Sequence, residues 1–311
     1  MQIQKVRVPI GVVLIIYEAR PNVTSDCISL LFKTANVGIL RGGRDAVNSN
    51  KAIGKVLEKA LIASGIKFRA FFIVENTDRR VVDELLKKDE YIDLVIPRGG
   101  ESLIRKVVES SHIQVLKHYK GVCHIFVDKT ADLDKAVKTC LNAKVQRPSV
   151  CNAVETILVH RSIARKFLPA LKQEFDKNNV QIRGDDETRK VIAGIRKAVV
   201  RDWSEEYLDL IVSVKVVSGT DEAISHINEF GSHHTDSILT ENKQNAERFI
   251  SGVDSACCFV NLSTRFSDGY QFGLGAEIGI STDKLHARGP MGLEELTTYK
   301  WIARGTGQIR Q

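Results

Sequence analysis

Cys151 stands in the run Arg147-Pro148-Ser149-Val150-Cys151-Asn152, directly before the apolar stretch Val154–His160. A thiol at such a junction of loop and strand meets backbone amides, which lower its pKa and donate to an oxyanion formed beside it. That chemistry is nucleophilic attack by a thiolate. From the residues alone a buried structural cysteine outweighs this reading. His124 and His286 are candidate partners for the thiol, although a lone histidine is more often a core or surface residue. No His/Cys cluster has metal-ligand spacing, so no metal is expected.

A second device occurs twice. Gly42-Gly43, flanked by Arg41 and Arg44, follows the apolar run Val37–Leu40, and Arg98-Gly99-Gly100 follows Ile92–Ile96. Glycines at a strand's carboxyl end let the backbone approach an anionic ligand, and the arginines add charge. Gly-x-Gly-x-x-Gly is absent, and no acid directly follows the strand to hold a ribose hydroxyl. Arg41 and Arg44 suit a 2′-phosphate, hence NADPH rather than NADH. The alternative for one pair is a turn with solvated arginines; two on one sheet edge favour an anion. Further along, Arg265, Glu277, His286 and Arg288 fall in a Gly- and Arg-rich stretch, where an arginine forks onto a carboxylate or phosphate or else closes a structural ion pair.

The elements that must hold these residues follow from periodicity. Strands Gly11–Ile16, Val37–Leu40, Ala70–Val74, Ile92–Ile96, Ile113–Leu116 and Val122–Val127 alternate with helical patterns such as Val81, Val82, Leu85 and Leu86 behind a capping Asp78. Strands apolar throughout and separated by helices imply a parallel sheet covered on both faces, a doubly wound α/β arrangement. Such sheets bind ligands at the strands' carboxyl ends. A second αβ series begins near Ala131, with strands at 154–160, near 209–217, at 235–239 and 256–260, and helices at 162–177, 221–230 and 241–251. From Asn261 the pattern becomes loop-rich.

Composition narrows the partners. The 45 Lys and Arg are scattered among 38 Asp and Glu in 311 residues, so the net charge of +7 forms no nucleic-acid stripe and suits an anionic small molecule. No run is long enough to span a membrane, and six cysteines without a CxxC pair read as reduced thiols of a cytoplasmic protein.

The segments VPIGVVLIIYEARPNVTSD, ILRGGRDAVNSN, YIDLVIPRGG, GVCHIFVD, NAKVQRPSVCNAVET, YLDLIVSVKVV, VDSACCFVNLSTRFSDG and FGLGAEIGISTDKLHARGPMGLEELTTYKWI are in order over nearly the whole chain. Together they resemble the gamma-glutamyl phosphate reductases of the aldehyde dehydrogenase superfamily. The resemblance implies an aldehyde-dehydrogenase-like fold, with an NADPH-binding domain at 1–129 rejoined by about 276–300 and a catalytic domain at 130–275. Residues 301–311 would join 1–10 as oligomerisation strands of a homodimer or homotetramer. It makes Cys151 the nucleophile and NADPH the reductant, and turns L-glutamyl 5-phosphate into L-glutamate 5-semialdehyde in proline biosynthesis. It places Asn22 near the oxyanion, Arg41, Gly42, Gly43 and Arg44 at the adenosine-phosphate end, and Gly99 and Gly100 near the pyrophosphate. Arg265, His286 and Arg288 are left for the substrate's carboxylate or phosphate. A glutamate kinase is the partner that pathway logic suggests.

Three departures bear on this. Family members carry a further segment before VPIG. The segment just before GVCH, rich in glycine in the family, is His118-Tyr119-Lys120 here, which is expected to crowd the nicotinamide. With Gly121 it stands where hydrolytic aldehyde dehydrogenases have Glu-Leu-Gly-Gly, so no acid is there to activate water, which favours reduction over oxidation. Ala35 replaces a glycine usual before the Arg-Gly-Gly strand, a change expected to be harmless. The alternatives are a truncated non-catalytic paralogue or partner subunit of the same fold, argued against by Cys151 and both Arg-Gly-Gly turns, and an aldehyde-oxidising dehydrogenase.

Overall fold

The computed structural model describes residues 1–310. They pack as two units, Met1–Lys117 together with the chain from Gly273 onward, and His118–Phe272.

The first unit opens with β1 (Gln2–Pro9), then alternates β2 (Val12–Tyr17), α1 (Pro21–Lys33), β3 (Val37–Arg41), α2 (Val47–Ala63), β4 (Phe71–Ile73), α3 (Arg79–Leu85), β5 (Leu94–Arg98) and α4 (Glu101–Ser110). The four strands form a parallel sheet in the order β4-β3-β2-β5. Val13, Leu14, Ile15 and Ile16 of β2 are all buried, because side chains on both faces meet helices. Val13 and Ile15 pack with α1, whereas Leu14 and Ile16 pack with Val82, Leu86 and Val107. Truncating Leu14 to alanine would cost about 2–5 kcal/mol. Pro21 opens α1, where its missing N–H is no loss. Asp78 caps α3 by accepting from the Arg80 amide at 2.9 Å.

The second unit runs β6 (Cys123–Val127), α5 (Leu133–Val145), β7 (Val154–His160), α6 (Arg161–Lys177), β8 (Gln181–Gly184), α7 (Asp186–Val191), β9 (Arg196–Lys197), β10 (Ile211–Val217), α8 (Thr220–Phe230), β11 (Thr235–Leu239), α9 (Lys243–Gly252) and β12 (Cys257–Val260). Its seven strands are parallel, in the order β12-β11-β6-β7-β10-β8-β9. The chain then adds β13 (Ile280–Ser281), β14 (Gly289–Pro290) and β15 (Thr297–Arg304) to the first unit. β15 pairs with β1 as an antiparallel ribbon, from Gln2 opposite Arg304 to Pro9 opposite Thr297.

Several sequence expectations shift. Val122–Val127 was expected to finish the first sheet, but β6 pairs with β7 and β11. An apolar run shows that a strand is buried, not which sheet it joins. The division between units accordingly falls at Lys117 and Phe272 rather than at 129 and 275. Ile113–Leu116 makes a single bridge, Val95 to Val115, and no strand. The partner of β1 is 297–304 rather than 301–311, because the backbone ladder with β1 begins at Thr297, opposite Pro9. No helix among the described residues is long and apolar enough to cross a membrane.

Candidate active site

In the second unit Cys151 occupies a turn between α5 and β7 and is half-buried. The Ala153 amide donates to the Val150 carbonyl at 3.0 Å, which closes the turn around it. The Asn152 side chain, buried, donates to the Ser267 carbonyl at 2.8 Å and pins the turn to the chain after β12. From below, the Cys123 thiol donates to the Cys151 carbonyl at 3.2 Å. Burial pushes the Cys123 thiol well up, so it stays a neutral donor. Gly121 lies so close that a Cβ there would stand 1.8 Å from the Cys151 carbonyl oxygen. Its amide donates to Glu206 Oε1 at 2.9 Å.

Three cationic or ligating side chains surround the sulfur. One ring nitrogen each of His118 and His234 and the Cys151 Sγ all lie within 4.8 Å of one another. His234 is fully buried, and that burial lowers its pKa to about 3, so it stands there as neutral imidazole. Arg265 lies within electrostatic reach of Cys151 and hydrogen-bonds Gln146 Oε1 at 2.8 Å. Burial lowers the pKa of Arg265, yet a guanidinium keeps its charge and favours a thiolate beside it.

In the first unit a cleft of about 550 Å³ opens at the carboxyl ends of β2, β3 and β5. Arg41, Gly43, Arg44, Thr77, Arg79, Ser102 and Lys106 line it, with Glu18 and Asp45. Gly42 instead packs against Asn50 and Tyr17, and a Cβ there would meet Asn50 Nδ2 at 2.2 Å. At Gly99 a Cβ would come 2.7 Å from Glu18 Cδ, and the Gly100 amide donates to Glu18 Oε1 at 3.2 Å as α4 begins. Arg41 is buried, with Nη1 on the Gly42 carbonyl at 3.0 Å and Nη2 on the Thr77 carbonyl at 2.6 Å. Its fork therefore braces the cleft wall, while Arg44 and Arg79 supply cationic charge around the opening and Lys106 is paired with Asp83 at 2.9 Å.

Comparison with known proteins places the chain in one family. The aldehyde dehydrogenase family model matches residues 2–200. A gamma-glutamyl phosphate reductase from Thermoanaerobacter pseudethanolicus is 55% identical over all 311 residues, which span 75% of that protein. One from Geobacter metallireducens is 53% identical over the same 311 residues, 74% of its length. The crystal structure of a gamma-glutamyl phosphate reductase from Thermotoga maritima matches 99% of this chain and 75% of its own, at 50% identity and a TM-score of 0.96. The chain belongs to the gamma-glutamyl phosphate reductases. It is thus an oxidoreductase of the aldehyde dehydrogenase family, acting on an aldehyde. An acetylating aldehyde dehydrogenase from Geobacillus thermoglucosidasius, at 17% identity and a TM-score of 0.77, shares the fold over 99% of this chain.

Other positions expected of a gamma-glutamyl phosphate reductase site have local structural roles here. Asn22 is exposed in the first turn of α1 and donates to Asp26 at 3.2 Å. His286 is exposed at a positive φ of 69°, and its Nε2 meets the Glu295 carbonyl at 2.8 Å. Arg288 is exposed on the same loop between β13 and β14. His124, a sequence candidate for pairing with the thiol, is fully buried and bonds Asp236 at 3.0 Å instead. Ala35 is not neutral. It has a φ of 58°, with the Ala35 amide on the Phe32 carbonyl and the Asn36 amide on the Leu31 carbonyl. That is a Schellman end to α1 with alanine in the left-handed position that glycine prefers. Sequence reasoning missed His234, Arg79 and Lys106, which no local motif marks. It noted His118 only as a departure and gave Gly121 no role, although a glycine just before the strand Cys123–Val127 is a signal of close backbone approach.

Proposed function

We propose that this chain catalyses the NADPH-dependent reduction of L-glutamyl 5-phosphate to L-glutamate 5-semialdehyde and phosphate, in proline biosynthesis, through a thioester on Cys151. The observation that carries the reading is the half-buried Cys151 in its pinned turn, with Arg265, His118 and His234 around the sulfur.

The Cys151 thiolate attacks the acyl carbon, and the C–O bond to phosphate breaks with its electron pair leaving on phosphate. Arg265 favours the thiolate and is assigned to the substrate's carboxylate or phosphate by family resemblance. The nicotinamide cofactor supplies a hydride to the thioester carbonyl when bound. The resulting oxyanion on the Cys151 adduct collapses, the C–S bond breaks and the aldehyde leaves. His118 stands beside the sulfur where hydrolytic relatives carry a glutamate, so the carboxylate base of those relatives is absent from this position.

The residues of the first unit fit a phosphorylated dinucleotide. Arg44 and Arg79 give the cleft a cationic wall, and the buried Arg41 Nε has no partner of its own. Gly43, Arg44 and their neighbours would hold the adenosine-phosphate end and its 2′-phosphate, with Gly99 and Gly100 near the pyrophosphate; His286 and Arg288 are assigned to substrate, and Asn22 to the oxyanion, by family resemblance alone. On the same reading the enzyme is a cytoplasmic homo-oligomer fed by a glutamate kinase.

The phosphate-dependent reverse reaction tests this. Wild type and Cys151→Ser are mixed with glutamate 5-semialdehyde, phosphate and NADP⁺, and NADPH is followed by absorbance. Phosphate-dependent turnover that falls by at least about three orders of magnitude in the variant is expected. Turnover surviving in Cys151→Ser would remove the thioester.

A further inference from the structure

Three side chains with no shared motif meet in the second unit. His118 precedes β6, Cys151 stands in the α5–β7 turn and His234 directly precedes β11. Their ligating atoms lie within 4.8 Å of one another, and the two imidazoles stand edge to face with centroids 5.6 Å apart. His234 Nδ1 lies 2.9 Å from the Thr235 hydroxyl, whereas its Nε2 is buried without a partner. A buried polar atom left so costs about 1–3 kcal/mol, which makes it a standing invitation to a ligand.

We propose that Cys151, His118 and His234 form a thiolate–imidazole site for a thiophilic divalent cation of the zinc type, and that its occupation switches the enzyme off. One sulfur and two imidazole nitrogens are a donor set that selects zinc over magnesium or calcium. With metal–sulfur near 2.3 Å and metal–nitrogen near 2.0–2.1 Å, tetrahedral ligands sit about 3.3–3.6 Å apart. The three atoms therefore need to close by no more than about 1.5 Å. His234 is the fixed point, its ring held by the Thr235 hydroxyl in the manner of an outer-shell ligand. Cys151 and His118 are half-buried on a turn and a loop, so side-chain rotation brings them in. Their partial exposure also leaves the fourth position to water. The nearby Arg265 charge opposes a dication, which suits reversible occupancy rather than a permanent structural centre.

On binding, the Cys151 proton goes to solvent and the sulfur lone pair goes to the cation. That pair is then withheld from the acyl carbon. The inhibitory half rests on Cys151 being the nucleophile; the binding half does not.

Co²⁺ titrated into the full chain reports the site by absorption. One equivalent is expected to give a thiolate-to-cobalt charge-transfer band and four-coordinate visible bands, displaced by Zn²⁺. Cys151→Ser is expected to abolish the charge-transfer band, and His118→Asn and His234→Gln to weaken binding at least about tenfold. Zn²⁺ is expected to stop turnover, and EDTA to restore it. Absence of the band in wild type, or unchanged affinity in His118→Asn, would overturn the site. Because His234→Gln changes a buried residue, the half-buried His118→Asn decides if the former fails to fold. A ligand-dependent cobalt spectrum with turnover untouched by Zn²⁺ would overturn the switch and, with it, the nucleophile assignment.

Discussion

Gly121 and Cys151 touch backbone to backbone. A Cβ on Gly121 would lie 1.8 Å from the Cys151 carbonyl oxygen and 2.5 Å from its Cα, closer than any side chain tolerates. Gly121→Ala therefore has to move the Cys151 turn. Since a displacement of about 1 Å at a reacting atom costs on the order of 100-fold in rate, kcat of the reverse reaction is expected to fall by about that factor. Melting and kinetics measured together check this: an active Gly121→Ala enzyme would mean that the turn's position is not critical.

Ala35 holds the left-handed position that ends α1. Relieving it costs some unfolded-chain entropy but removes about 1–2 kcal/mol of strain. Ala35→Gly is expected to raise stability by about 0.5–1 kcal/mol in denaturant unfolding. A loss of stability would show that the strain is already relaxed.

Lys144 and Glu155 form a fully buried ion pair at 2.6 Å within the second unit. Burial pushes the Glu155 carboxyl up to about 8 and the Lys144 ammonium down, so neither charge is comfortable without the other. Lys144→Met alone is expected to cost about 3–5 kcal/mol, whereas Lys144→Met with Glu155→Leu comes out near neutral or stabilising. Equal losses in the single and double variants would contradict this.

His226 is buried against Trp203 and Phe230, with Lys215 Nζ 3.3 Å from its Nδ1. Burial, aided by His124 and Lys215, lowers its pKa to about 2 from 6.5. The unfolded chain takes up this proton below about 6.5 and the folded chain does not, so stability is present above that pH and is lost as pH falls. The slope is about 1.4 kcal/mol per pH unit at its steepest. His226→Phe, which cannot titrate, is expected to flatten the stability profile between pH 4.5 and 6 by about that slope. An unchanged profile would place the protonation elsewhere.

For the cofactor, Arg44 is expected to act on ligand and Arg41 on structure. Arg44→Ala should raise KM for NADP⁺ about tenfold, roughly 1.4 kcal/mol, while changing that for NAD⁺ little. Arg41→Ala should lower the melting temperature, because its fork holds the Gly42 and Thr77 carbonyls. Equal effects of Arg44→Ala on both dinucleotides would deny it the 2′-phosphate.

Periodicity encodes the strands and helices, such as β2 with every residue from Val13 to Ile16 apolar, and local composition marks the Arg-Gly-Gly turns after β3 and β5. The family is legible too, in long ordered segments around Cys151. Which sheet receives β6, which arginine bonds carbonyls and which side chains meet Cys151 depend on contacts between segments far apart in the chain. Local periodicity reports how a segment is buried, but not its neighbours. Residues 118, 151 and 234 become one site only because β6, β7 and β11 lie in one parallel sheet, an order set by packing of whole elements.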